Sequence, residues 1–250
     1  MQKILISGCN GHMGRVVADI CASDPQVEVV AGIDILGQKN PDFPVFSSPA
    51  ACDIPADVVI DFSHPSALAT LLEMCQARHL PVVLATTEYD QAQLEAISEA
   101  ARHIPVFRSA NMSLGVNVLL DLVKKAAAVL GGDYDVEIVE RHHHRKVDAP
   151  SGTALMLADA AASALPYEAE YVYDRHDVRK PRDPHEIGIS SVRGGTIVGD
   201  HTVIFAGRDE VIELSHHAAS REVFAVGAVR AAKFLAQGRA PGLYSMSDLL

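Results

Sequence analysis

The sequence has no closely spaced cysteines, no surplus of positive charge, no long uninterrupted apolar run and no internal repeat. Each absence removes a class of protein. Cys9, Cys21, Cys52 and Cys75 lie in the first third of the chain and never approach the short spacings of zinc or redox pairs, so they read as free thiols in a reducing compartment. A formal net charge of -11 repels nucleic acid and anionic lipid before short-range contacts form. The first apolar run is interrupted by glycine and asparagine too early for a signal peptide. The longest apolar helix expected, residues 114–130, carries Asn117, Asp121, Lys124 and Lys125, which disqualifies it as a membrane span. These readings predict a cytoplasmic protein with neither a nucleic-acid nor a membrane partner.

What is present is a chain of 250 residues, 48% hydrophobic and 21% charged, able to build one large or two modest domains without disulfides. Residues 3–7, 27–34, 58–61, 82–85 and 105–107 are short runs of strand type, and residues 13–22, 65–78 and 91–102 carry helical periodicity. That alternation predicts a parallel sheet. Pro65 suits a first helical turn, and Pro81 and Pro105 suit strand starts. From a helix starting near Ser113 the pattern changes: a strand at 134–139, a helix at 152–164, a polar loop at 166–184, then strands at 187–192, 196–205 and 210–216. The short turns Gly194-Gly195 and Gly207-Arg208-Asp209 between them predict antiparallel neighbours. An alanine- and valine-rich helix at 222–237 should be well buried. The expected fold class is α/β for the first part, with a second, α+β region.

Gly8, Gly11 and Gly14 stand three residues apart where a strand turns into a helix, so a phosphate can approach backbone amides at the helix N-terminus. Asp34 follows 20 residues after Gly14, at the end of the next strand, where a carboxylate binds a ribose diol. A dinucleotide site is expected; the competing reading is a structural turn for close helix packing. Asp34 repels the extra phosphate of NADP and Ile35 offers no cation, although Lys39 is near, so NADH or dual use is expected.

Residues 141–146 are six consecutive residues able to carry positive charge in an otherwise acidic chain. Such a cluster makes physical sense if an anion binds there or if several imidazoles stay neutral. Pro150-Ser151-Gly152-Thr153 then opens a helix, a second place for an anion, and two anion sites suit a dicarboxylate. His142 and Lys146 are candidates for general acid work. A metal is not expected, since adjacent histidines diverge in direction and no partner ligand stands at a matching spacing. A solvated charged loop without chemistry is the bland alternative.

Gly8-Cys9-Asn10-Gly11-His12-Met13-Gly14, the stretch from His142 to Ala154, and Gly242-Leu243-Tyr244-Ser245-Met246-Ser247-Asp248 together resemble the 4-hydroxy-tetrahydrodipicolinate reductase family, over the whole chain. The resemblance implies a homotetramer with a Rossmann-like, doubly wound parallel-sheet domain, residues 1–113 plus 222–250. Residues 114–221 would be an inserted α+β substrate and tetramerisation domain on an open mixed or antiparallel sheet. It implies His142 as proton donor/acceptor and Lys146 as proton donor, with His143, Gly152 and Thr153 holding the substrate carboxylates. The cofactor, NADH or NADPH, would be lined by Gly8, Cys9, Asn10, Gly11, His12, Met13, Asp34, Ala85, Thr86, Thr87, Ser109, Ala110, Asn111 and Met112. The implied reaction is reduction of (2S,4S)-4-hydroxy-2,3,4,5-tetrahydrodipicolinate to tetrahydrodipicolinate with loss of water, in lysine and diaminopimelate biosynthesis. His12 stands where many members carry arginine, and Ala85 where they carry glycine. Two other functions remain open on the residues: another nicotinamide oxidoreductase of amino-acid metabolism, such as an aspartate or homoserine dehydrogenase, and a non-catalytic dinucleotide sensor. Neither accounts for the segment from His142 to Thr153.

Overall fold

The alternating apolar runs of the first part do form a parallel sheet. A computed structural model describes residues 1–37 and 39–250. Among these the chain splits into two compact units, Met1–Ser113 with Glu222–Leu250, and Leu114–Arg221. In chain order the elements of the first stretch are β1 (Gln2–Ser7), α1 (His12–Ala22), β2 (Val27–Ile33), β3 (Val45–Phe46), β4 (Val58–Asp61), α2 (Leu68–Ala77), β5 (Val82–Leu84), α3 (Gln91–Ala100) and β6 (Pro105–Arg108). The second unit contributes α4 (Leu114–Leu130), β7 (Asp135–His142), α5 (Gly152–Ala162), β8 (Glu170–Val172), β9 (Glu186–Arg193), β10 (Gly199–Ala206) and β11 (Val211–Ala218). The chain then returns to the first unit with α6 (Glu222–Leu235) and β12 (Gly242–Tyr244).

The first unit is a seven-stranded sheet in the order β12-β6-β5-β4-β1-β2-β3, with every pair parallel. Side chains alternate across it. Leu5, Val59, Val82 and Val106 pack with Leu71, Leu72 and Ile97 of α2 and α3. Ile4, Ile6, Val58, Ile60 and Val83, also fully buried, point the opposite way, on the side of α1 and α6. Each such residue contributes about 1.5–3 kcal/mol of apolar burial. Local signals set the boundaries. Asp90 and Gln93 form a reciprocal capping box that starts α3. Pro65 opens a single 3-10 turn, Pro65–Ala67, before α2, so the helix expected from Pro65 is regular only from Leu68. The chain runs outward from β1 to β3, then returns to the other side of β1 as β4. This reversal opens a crevice at the carboxyl edge, where ligands of such sheets bind.

The second unit is a five-stranded mixed sheet in the order β11-β10-β7-β9-β8. Leu119, Val123 and Ala127 of α4 and Ala154, Leu157 and Ala161 of α5 cover one face, against Val136, Ile138, Ile187, Val203 and Phe205. The antiparallel hairpin expected at Gly207-Arg208-Asp209 joins β10 to β11. The one expected at Gly194-Gly195 does not form: β7 lies between β9 and β10, parallel to the first and antiparallel to the second. The glycine turn instead bonds to the end of β7, Gly194 N to His142 O at 2.9 Å and His144 N to Gly195 O at 3.3 Å. β7, with Val136 and Ile138 wholly buried, takes the centre of the sheet. The polar stretch expected to be loop at 166–184 contains the edge strand β8 and is tied to the sheet by ion pairs: Arg175 with Glu137 at 2.8 Å and Glu186 at 3.1 Å, Arg182 with Asp135 at 2.6 Å.

Candidate active site

In the first unit the carboxyl ends of β1, β2, β5 and β6 carry the residues expected at a dinucleotide. Gly8 has φ of +79°, and a Cβ there would stand 2.5 Å from the carbonyl oxygen of Phe62, so only glycine makes this turn. A Cβ on Gly14 would meet the carbonyl oxygen of Gly8 at 2.1 Å, which lets α1 start hard against the loop. Gly11 is the N-cap of α1 and has no side chain to cap it, which leaves the start of the helix open to an approaching anion. Asp34 Oδ2 accepts Asn10 N at 3.0 Å, and its Oδ1 accepts Leu36 N at 3.0 Å, which fixes the carboxylate with lone pairs to spare for a diol. A cavity of about 520 Å³ lies over Gly8, Gly11, Asp34, Leu36 and His64. A bare helix N-terminus, a glycine cradle and an oriented acid in one crevice fit a dinucleotide.

Not every expected residue presents its side chain there. Cys9 is 1% exposed, its sulfur against Gly32, and burial together with the Asp34 charge pushes its thiol up to about 11. Only its backbone faces the loop. Met112 is buried likewise, while His12, Thr87 and Ala110 are exposed. Ala85 N bonds Asp61 O at 2.9 Å, and Thr86 Oγ1 donates to Asp61 Oδ2 at 2.7 Å. Ser109 Oγ donates to Asn111 O at 3.0 Å. Lys39 lines a different cavity, beside Arg15 and Phe43, rather than the one over Asp34.

In the second unit, β7 and the N-terminus of α5 bring the basic segment together. His142 ends β7 with its side chain turned inward, and its Nδ1 lies 2.6 Å from Glu140 Oε2. Ser151 caps α5, its Oγ accepting Ala154 N at 3.2 Å, so Gly152 and Thr153 form the first turn. Lys146 pairs with Asp148 at 2.8 Å. His143 Nε2 lies 3.2 Å from a guanidinium nitrogen of Arg221, which can only donate, so Nδ1 carries the ring proton. That Nδ1 is buried with no partner. Partial desolvation and the charges of Arg221 and Arg145 hold His143 below the usual imidazole range. The cluster thus stays compact by keeping an imidazole neutral. His144 and Arg145 point to solvent.

Residues 2–112 match the family model described as dihydrodipicolinate reductase, N-terminus, and residues 115–250 the one described as its C-terminus. The chain belongs to the dihydrodipicolinate reductase family. It is 55% identical over 253 residues to the 4-hydroxy-tetrahydrodipicolinate reductase of Caldanaerobacter subterraneus subsp. tengcongensis, covering 100% of this chain and 98% of the relative. It is 47% identical to that of Clostridium tetani, covering 100% and 97%. The fold is that of the dipicolinate-bound dihydrodipicolinate reductase of Paenisporosarcina sp. TG-14, with a TM-score of 0.84 at 24% identity and full coverage of both chains. As a member of the dihydrodipicolinate reductase family, the chain is an NAD(P)H-dependent oxidoreductase of the lysine and diaminopimelate pathway.

Behind His142 in this reductase lies a buried polar layer that no sequence motif marks. Glu140 is wholly buried and accepts both guanidinium nitrogens of Arg193, at 2.6 and 2.7 Å, as well as Ser151 N at 3.1 Å. Burial alone would raise its pKa; the bonds from Arg193 and His142 prevail and hold it at about 2. His201, on β10, places Nε2 2.8 Å from Ser151 Oγ, and burial with the His142 charge pushes it down to about 4. β7 runs on to His142, three residues past the strand expected at 134–139, and its period-2 alternation puts Glu140 and His142 on one face. Arg193 and His201 arrive from other strands, and no local pattern announces them.

Proposed function

We propose that the chain reduces (2S,4S)-4-hydroxy-2,3,4,5-tetrahydrodipicolinate to tetrahydrodipicolinate with loss of water. Full-length identity of 55% to a 4-hydroxy-tetrahydrodipicolinate reductase is the observation that carries this reading. The first unit serves as the dinucleotide-binding domain and the second as the substrate domain. The backbone of Gly8 to Met13 cradles the pyrophosphate, Asp34 takes the ribose diol, and Ala85 to Thr87 with Ser109 to Met112 line the remainder. Bound NAD(P)H supplies the hydride. The negative charge of Asp34, with Lys39 in another cavity, favours NADH.

The second unit supplies anion binding and proton handling. His143, beside the Arg221 guanidinium, and the α5 N-terminus at Gly152 and Thr153 suit the two substrate carboxylates. Loss of water needs a proton on the departing hydroxyl and removal of one from an adjacent ring carbon. Hydride addition at the carbon that carried the hydroxyl then needs one proton on the ring. Lys146 Nζ, donor-only while charged, delivers a proton, and His142 gives or takes one. Their cationic surroundings stabilise charge as the conjugated system reorganises.

The working form is a cytoplasmic homotetramer built through the sheet face of the second unit that α4 and α5 leave uncovered. Exposed Val192 and Val211 on β9 and β11 support that assembly, as does the family resemblance. The deciding experiment follows oxidation of NADH and NADPH, each with substrate made freshly by condensing pyruvate with aspartate semialdehyde. Turnover with both, kcat/KM being higher with NADH, is expected. No oxidation of either cofactor overturns the reaction, and a clear NADPH advantage overturns only the preference.

A further inference from the structure

Glu140 touches more of the second unit's machinery than any group the reaction itself requires. Its Oε2 faces His142 Nδ1 at 2.6 Å and its Oε1 accepts the backbone N–H of Ser151, the N-cap of α5. Arg193 grips both oxygens and extends to the carbonyl oxygen of Asp148 at 2.8 Å, in the loop just after Lys146. One carboxylate therefore ties the proton-handling imidazole, the carboxylate-binding helix start and the lysine loop into a single frame.

Three N–H donors, Ser151 N and two from the Arg193 cation, converge on this carboxylate and hold it ionised, so toward His142 it can only accept. An acceptor-only oxygen at hydrogen-bond distance requires the hydrogen to sit on His142 Nδ1. Nε2 then carries the exchangeable position. The fold leaves that nitrogen open: no described residue hydrogen-bonds it, and β10 has glycine opposite, where a Cβ on Gly199 would stand 3.0 Å from Nε2. The His201 ring meets that of His142 edge-on at 5.2 Å and keeps its Nε2 for Ser151, so it does not compete for the Nδ1 proton.

We propose that Glu140 is a positioning residue of this site: clamped by Arg193, it holds the His142 ring proton on Nδ1, so that Nε2 is the nitrogen that exchanges a proton with bound substrate. The proposal rests on the proton-handling role of His142 given above. It predicts that the two residues act as one unit.

The test is a kinetic cycle of Glu140→Gln, His142→Gln and the double variant in the full-length enzyme, with NADH binding and a cooperative thermal transition as evidence of folding. Glu140→Gln should lower kcat by about 10²-fold, a typical loss for impaired acid-base catalysis, while leaving the NADH KM unchanged. The double variant should lose no more than His142→Gln alone. A double loss equal to the product of the single losses overturns the positioning role, because a merely structural cost persists without His142. A normal kcat in His142→Gln overturns instead the reading beneath it. Histidine-selective ¹⁵N NMR of the unmutated enzyme decides the matter if Glu140→Gln does not fold: a protonated His142 Nδ1 is expected, and a bare Nδ1 overturns the proposal.

Discussion

His143 and Lys146 differ in what surrounds them, and that difference separates their expected failures. His143 is held neutral beside Arg221 and is proposed to bind a substrate carboxylate, so His143→Ala should raise the substrate KM and change kcat less. Lys146→Ala should lower kcat by about two to four orders of magnitude with less change in KM. Steady-state kinetics on both variants checks the pair, and exchanged phenotypes would reverse the assignments. His201 belongs to stability instead. Its folded pKa of about 4 lies below the ordinary 6.5, so the unfolded chain takes up the proton first. Stability is therefore intact above the higher value and drains as pH falls toward the lower, by on the order of 3 kcal/mol at most. Glu140, held at about 2, takes over from about 4.5 downward, because the unfolded carboxyl takes up a proton there while the native one stays ionised. His201→Gln should flatten the fall of Tm across the upper window, with His143 and His216, both also lowered, leaving a residue of slope. A calorimetric Tm profile as steep as the parent's would assign the acid lability elsewhere.

α6 shows how closely an element can be set by one missing side chain. A Cβ on Gly227 would stand 1.7 Å from the carbonyl oxygen of Met112, so this helix lies directly against the turn that follows β6. The carbonyl belongs to backbone and cannot swing aside. Gly227→Ala should cost about 2 kcal/mol or more, as overpacked cores do, and should weaken NADH binding because residues 109–112 move with that carbonyl. Differential calorimetry and an NADH fluorescence titration report the two effects, and an unchanged Tm would count against the packing. Helix and strand periodicity had located nearly every long element from sequence to within a few residues. β3 and β12, of two and three residues, escaped because so short a stretch has no period to read, and their edge positions come from pairing alone. The Gly194-Gly195 turn misled for a related reason. A glycine pair marks a reversal but not which strand fills the space beside it.

For the whole chain, the proposed assignment of cofactor to Met1–Ser113 with Glu222–Leu250 and of substrate to Leu114–Arg221 gives the two ligands separate footprints. Hydrogen exchange with NADH alone should show protection around residues 8–13, 34 and 109–112, whereas a dipicolinate-like dicarboxylate alone should protect residues 142–154. Binding that protects neither footprint with its own ligand would undo the division of labour between the units. Ligand at about 100 times its Kd adds about 2.7 kcal/mol to the unit that binds it, enough for a measurable rise in Tm.

The class of fold, the glycine loop with its following acid, and the cationic segment before α5 were all legible in the linear chain, because periodicity, turn chemistry and charge spacing are local properties. The placing of β7 between β9 and β10, and the assembly of Glu140, Arg193, Ser151 and His201 behind His142, were not. Those contacts join residues as many as 71 positions apart, from Asp135 to Ala206, and only sheet register and burial select which polar groups must satisfy one another.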